Sequence, residues 1–95
     1  MKAHTTRLLK LLRRFRAEDV INPWSDDNPD DAAANGAAAR RARLALHLAV
    51  EPQRLLIGEA AGYQGCRVSG IAFTSERLLL AGEIPRIPKS IQQAL

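Results

Sequence analysis

The run Arg54–Phe73, RLLIGEAAGYQGCRVSGIAF, decides how the chain is read. Leu55, Leu56 and Ile57 follow Pro52, which ends the preceding helical pattern, and Gly58 closes them. A short apolar run bounded by turn residues is how a buried strand of an α/β sheet reads. A strand is therefore expected over residues 53–59. A glycine-rich loop is expected over 60–73, with Gly62, Gly65 and Gly70 in it. Inside that loop Val68 to Phe73 can run extended as a second strand. Thr74 or Ser75 then caps a helix over 74–82, and Gly82 stops it.

Open α/β sheets bind ligands beyond the carboxyl ends of their strands. Glu59 and the loop after it fall in that position. The loop lacks Gly-Lys-Ser/Thr, so it is not a nucleotide-triphosphate loop. Its glycines, at 58, 62, 65 and 70, do not form the dinucleotide pattern either.

Upstream, residues 1–18 read as a basic amphipathic helix, with Thr5 or Thr6 as its cap. Leu8, Leu11, Leu12 and Phe15 recur at helical spacing, and Arg7, Lys10, Arg13, Arg14 and Arg16 fill the rest. Residues 19–35 hold two Asn-Pro pairs and an acidic cluster, which make a loop. Trp24 is expected to anchor that loop to the core. The cluster lacks the glycine and closing Glu of a calcium loop, so no metal site is expected. Residues 36–50, rich in Ala and Leu, favour a helix; Gly36 can interrupt or kink the pattern, or end a first short turn. His4 and His47 stand alone, with no ligand or triad partner at useful spacing. EIPRIPKS is a connector, and IQQAL is at most a last turn of helix.

A chain of 95 residues is one domain or part of one. With one Trp, one Tyr and two Phe, its core must come from Leu, Ile, Val and Ala. The formal charge of +4 fits an anionic partner such as nucleic acid. A single cysteine, Cys66, permits no internal disulfide and no iron–sulfur cluster. Lys10, Arg13 and Arg14 break what would be a signal-peptide core, and no run approaches the ~18 apolar residues of a membrane span. A cytoplasmic location, with no membrane partner, is the expectation.

GEAAGYQGCRVSGIAFTSER, residues 58–77, resembles the first active-site motif of the uracil-DNA glycosylase superfamily. Some members open that motif Gly-Glu-Ala-Pro-Gly. Others open it Gly-Gln-Asp-Pro-Tyr and continue to Gly-Leu-Ala-Phe-Ser. Gly58 and Gly70 match the glycines that open those two segments, and GIAF stands where Gly-Leu-Ala-Phe would. The resemblance is best over residues 19–88. It implies a partial three-layer α/β/α fold, mostly helical with one or two strands. It implies hydrolysis of the N-glycosidic bond of uracil in DNA, by a base flipped out of the stack. Glu59 would be the catalytic residue that orients or activates water. Gly58, Ala60, Gly62, Tyr63 and Phe73 would hold the base, with Phe73 stacking on it. Ser69, Thr74, Ser75 and Arg77 would meet the DNA backbone. No cofactor is implied.

The departures are specific. Ala61 stands in place of the family's Pro. Ala60 and Gly62 stand where the second group has Asp and Tyr. No Asn-bearing strand and no His-Pro-Ser loop follow Arg77, and both histidines precede the first motif. The chain therefore reads as the first half of such a domain, with activity impaired. A homodimer or a partner supplying the missing half is expected. Two alternatives stand beside this reading. One is a non-catalytic nucleic-acid-binding or regulatory module, supported by the basic helix and by Arg40, Arg41 and Arg43. The other is a small α/β remnant that binds nothing, with Phe73 in its core and Glu59 solvated.

Overall fold

The computed structural model describes residues 2–58, 62 and 64–94. The chain is a series of helices: α1 Lys2–Arg14, a 3-10 turn Ala33–Asn35, α2 Ala37–His47, α3 Cys66–Ser69, α4 Glu76–Leu80 and α5 Lys89–Gln92. They pack in sequence, α1 on α2, α2 on α3, α3 on α4 and α4 on α5. Among the described residues no helix is long and apolar enough to cross a membrane.

No strand occurs among the described residues, so the α/β class expected from the sequence is corrected to an all-helical one. The expected strand over 53–59 is irregular through Gly58. Leu55, Leu56 and Ile57 are 71%, 79% and 84% exposed. The main chain of 53–58 makes no hydrogen bond to a described residue. The reason is that a strand exists only through a neighbour, and no run here supplies one. The other candidate, Val68 to Phe73, is divided. Val68 and Ser69 belong to α3, and Gly70 at φ +77° turns the chain left-handed.

Helix α1 ends at Arg14 rather than running to 18. Asn22 Nδ2 reaches back to the carbonyls of Leu12 (2.5 Å) and Phe15 (3.1 Å), satisfying acceptors at the helix end. The helix buries only part of its apolar face. Leu9 and Leu12 are half-buried, while Leu8, Leu11 and Phe15 stay exposed.

The acidic loop is ordered by its own polar groups. Asn28 Nδ2 donates to the carbonyls of Asn22 and Ser25, both at 2.9 Å, and Trp24 Nε1 donates to Gly70 O at 3.0 Å. The Trp24 bond ties the loop to the turn after α3. Downstream, Ser75 Oγ accepts from Leu78 N (3.3 Å) as the cap of α4. Gly82, at φ +69°, follows that helix. Buried Gln92 binds Ile84 through both its amide groups and adds Ile87 O at 2.6 Å, which fixes the proline-bearing connector.

The core is small and partly polar. Ala37, Leu44, Cys66, Ile71, Leu79 and Ile87 are its buried apolar residues. Between them lie two arginines of α2, Arg40 at 1% exposure and Arg43 at 0%. Arg40 donates to Pro23 O (2.5 Å), Asn35 O (2.6 Å) and Asp31 Oδ2 (2.6 Å). Arg43 donates to Ser69 O (2.9 Å), Val68 O (3.2 Å) and Asn35 Oδ1. The Val68 and Ser69 carbonyls close α3, and a cation suits the carbonyl end of a helix. Burial, with the charge of Arg40 adding to it, pulls the Arg43 pKa down to about 10.

Candidate functional site

Most of the sequence-predicted site residues that can be placed line one groove of about 1030 Å³. Leu12 of α1 and Phe15 just after that helix line it, with Val20, Ile21 and Trp24 of the loop that follows. Gly58, Gly62, Phe73, Thr74 and Ser75 line it as well. The lining is mainly apolar and aromatic, as small-molecule sites are. Sequence reasoning missed Phe15, Val20 and Ile21 as lining. The signal was present for Val20 and Ile21, apolar residues directly before the first Asn-Pro pair.

Phe73 is the most informative member. It is 71% exposed, and its φ of +59° puts a bulky residue in the left-handed region. Such a conformation costs on the order of 1–3 kcal/mol and persists where the surroundings hold it, most often at ligand sites. Its ring passes Gly58 so closely that a Cβ there would stand 3.4 Å from Cζ. The reading that puts Phe73 in the core is thus excluded. Asp19, also on the groove, has φ +59° as well.

The remaining predicted residues are distributed differently. Glu59, Ala60 and Tyr63 lie outside the described residues. Ser69 is fully buried, its Oγ accepting from Ile71 N (3.0 Å) and facing the carbonyls of Ile71 (3.0 Å) and Thr74 (2.7 Å). It braces the turn that carries Phe73 instead of facing solvent. Thr74 is buried, with Oγ1 donating to Ala72 O at 3.1 Å. Ser75 is occupied as the α4 cap. Arg77 is exposed on α4 and does not line the groove. Of the arginines assigned to an anionic partner, Arg40 and Arg43 are buried and bound, and Arg41 is half-buried. Arg41 donates to Trp24 O (2.7 Å) and Asp26 Oδ1 (3.1 Å).

Two titratable groups, Cys66 in the groove and His47 at the end of α2, are shifted by burial. Cys66 lines the groove from a buried position that raises its thiol pKa, which disfavours the nucleophilic thiolate. His47 is held below its ordinary pKa by burial and then by Arg86, whose guanidinium donates to His47 O at 3.0 Å. Its buried Nδ1 has no hydrogen-bond partner among the described residues. The folded chain thus resists protonation of His47 where the unfolded chain accepts it. Stability is full above the unfolded value of about 6.5 and falls as pH drops toward the lower folded value. Urea midpoints at about pH 7.5 and about pH 5 should show that loss, and His47→Gln should flatten the difference.

Comparisons with protein-family models, with curated proteins and with solved structures find no match to this chain, so the site itself carries the functional argument.

Proposed function

We propose that the chain is a non-catalytic module that binds single-stranded nucleic acid and takes one pyrimidine base against Phe73. The observation that carries this reading is an exposed aromatic ring, held in a left-handed backbone conformation, that lines the groove. Proteins that bind single strands pair such stacking faces with a cationic track for the backbone. Arg7, Lys10 and Arg14 on α1 are exposed and form no ion pair with a described residue. The resemblance of residues 58–77 to the glycosylase motif supports a pyrimidine as the base. Hydrolysis would rest on Glu59, which lies outside the described residues, and binding is the function proposed.

The test is fluorescence anisotropy of a labelled thymidine oligonucleotide as salt is raised. The logarithm of affinity should fall linearly with the logarithm of salt, with a slope of about −0.7 per phosphate neutralised. Phe73→Ala should weaken binding roughly tenfold, in line with about 1–3 kcal/mol per stacked base. Phe73→Gly should also weaken it, yet raise the urea midpoint by relieving the left-handed strain. Folded protein that ignores the oligonucleotide at low salt would overturn the reading. Uracil release from a labelled strand that disappears in Glu59→Ala would replace it with the hydrolytic one.

A further inference from the structure

A second cleft, of about 290 Å³, lies between α1 and α2. Its lining includes Lys10 and Arg13 from α1 and Arg41 from α2, and among the described residues no carboxylate. Three cations around one concavity attract an anion, and two of them already hold one. Asp26, itself outside that lining, bridges Arg13 and Arg41. Its Oδ2 is 3.0 Å from Arg13 NH2, and its Oδ1 is 3.1 Å from Arg41 NH1. Asp26 comes from the acidic loop, whose neighbouring Asp27 pairs with Arg16. The side chains of Arg13 and Asp26 are 60% and 48% exposed. Solvent-exposed ion pairs contribute little, so an incoming anion displaces this one easily. The Arg41 hydrogen bond, with Arg13 adding to it, lowers the Asp26 pKa, which matches a carboxylate occupying a cation-built position. Lys10 forms no ion pair with a described residue, which leaves its charge for a ligand. Arg41 is held in place by its bond to Trp24 O at 2.7 Å, so one cation is rigid while Lys10 and Arg13 adapt.

We infer that this cleft is an anion site for a phosphate group, and that Asp26 is the internal carboxylate the phosphate displaces from Arg13 and Arg41. Guanidinium forks suit phosphate because they donate two parallel hydrogen bonds to it. The site is separate from the Phe73 groove, whose lining shares none of these residues.

The experiment is a titration with inorganic phosphate in a chloride background, followed through the Nε–H signals of Arg13 and Arg41 by nuclear magnetic resonance. Both signals should move together and saturate. Asp26→Asn should tighten phosphate binding up to about fivefold, the scale of one exposed ion pair. Lys10→Gln combined with Arg13→Gln should weaken it at least about tenfold, the typical loss of one or two charge-assisted hydrogen bonds. Lys10 and Arg13 are exposed, so this variant should keep the helical circular dichroism of the parent. Arg13 and Arg41 signals that stay still in Asp26→Asn at high phosphate would overturn the assignment. So would phosphate binding that survives Lys10→Gln/Arg13→Gln unchanged. A thymidine oligonucleotide that moves the same signals would assign the phosphate to a strand, and movement by inorganic phosphate alone would assign it to a free anion. Phosphate shifts that persist in Phe73→Ala, with oligonucleotide affinity lost, would separate this site from the groove.

Discussion

Arg40→Met is expected to remove most of the stability of the fold. The side chain is 1% exposed and joins three segments through Pro23 O, Asn35 O and Asp31 Oδ2. Methionine fills much of the volume but leaves the buried Pro23 carbonyl, the half-buried Asn35 carbonyl and the Asp31 carboxylate without this donor. Among the described residues Asp31 would keep only Arg67, at 3.3 Å. Breaking a buried ion pair by removing one partner costs about 3–5 kcal/mol. Whole domains hold only about 5–15 kcal/mol, and a chain this short sits toward the low end. The thermal midpoint should fall by roughly 15 °C or more, since about 1 kcal/mol moves a domain of this size by about 4–8 °C. The control is Arg13→Gln, which removes an exposed pair and should stay within about 0.5 kcal/mol. Equal midpoints for the two variants in urea would refute the claim that Arg40 organises the core.

Gly70→Ala should be nearly as damaging, for a different reason. Gly70 has φ +77°, and a Cβ added there would lie 2.7 Å from Arg40 Cβ, 2.9 Å from Arg40 O and 3.0 Å from Arg40 Cα. The obstacle is the backbone of α2, which cannot swing aside. Left-handed strain of about 1–2 kcal/mol adds to overpacking of about 1–3 kcal/mol. Any retreat of the turn also pulls Gly70 O from Trp24 Nε1, which it meets at 3.0 Å. Gly82→Ala is the informative comparison. Gly82 is left-handed too, at φ +69°, but its Cβ would meet only the Lys89 side chain, at 2.9 Å and beyond. Lys89 is exposed and can move away. Gly82→Ala should therefore cost only the strain, about 1–2 kcal/mol. Chemical denaturation of the pair measures the difference, and equal losses would show that the α2 backbone yields.

The turn that carries Phe73 was legible in the sequence only through Gly70, and the groove brings Gly58, Gly62 and Phe73 together. The use of Ser69 as a brace was not legible, because a serine beside a glycine reads equally as a surface hydroxyl. Its role follows from which carbonyls the turn folds over it. The arginines of α2 misled for a related reason. Arg40, Arg41 and Arg43 favour a helix whether solvated or buried, so propensity says nothing about which way they face.

What the sequence by itself determined is local. Asn-Pro pairs made 22–30 a loop, Gly36 opened α2, Ser75 capped α4 and Gly82 followed it, because each of these acts on main chain within a few residues. What only the tertiary structure decided is non-local. Leu55, Leu56 and Ile57 became no strand because strand formation needs a second segment to complete its hydrogen bonds. Arg40 and Arg43 became core because distant carbonyls, at positions 23, 35, 68 and 69, converge on two helical turns of α2. That convergence is a property of the assembled chain, and no single window of sequence contains it.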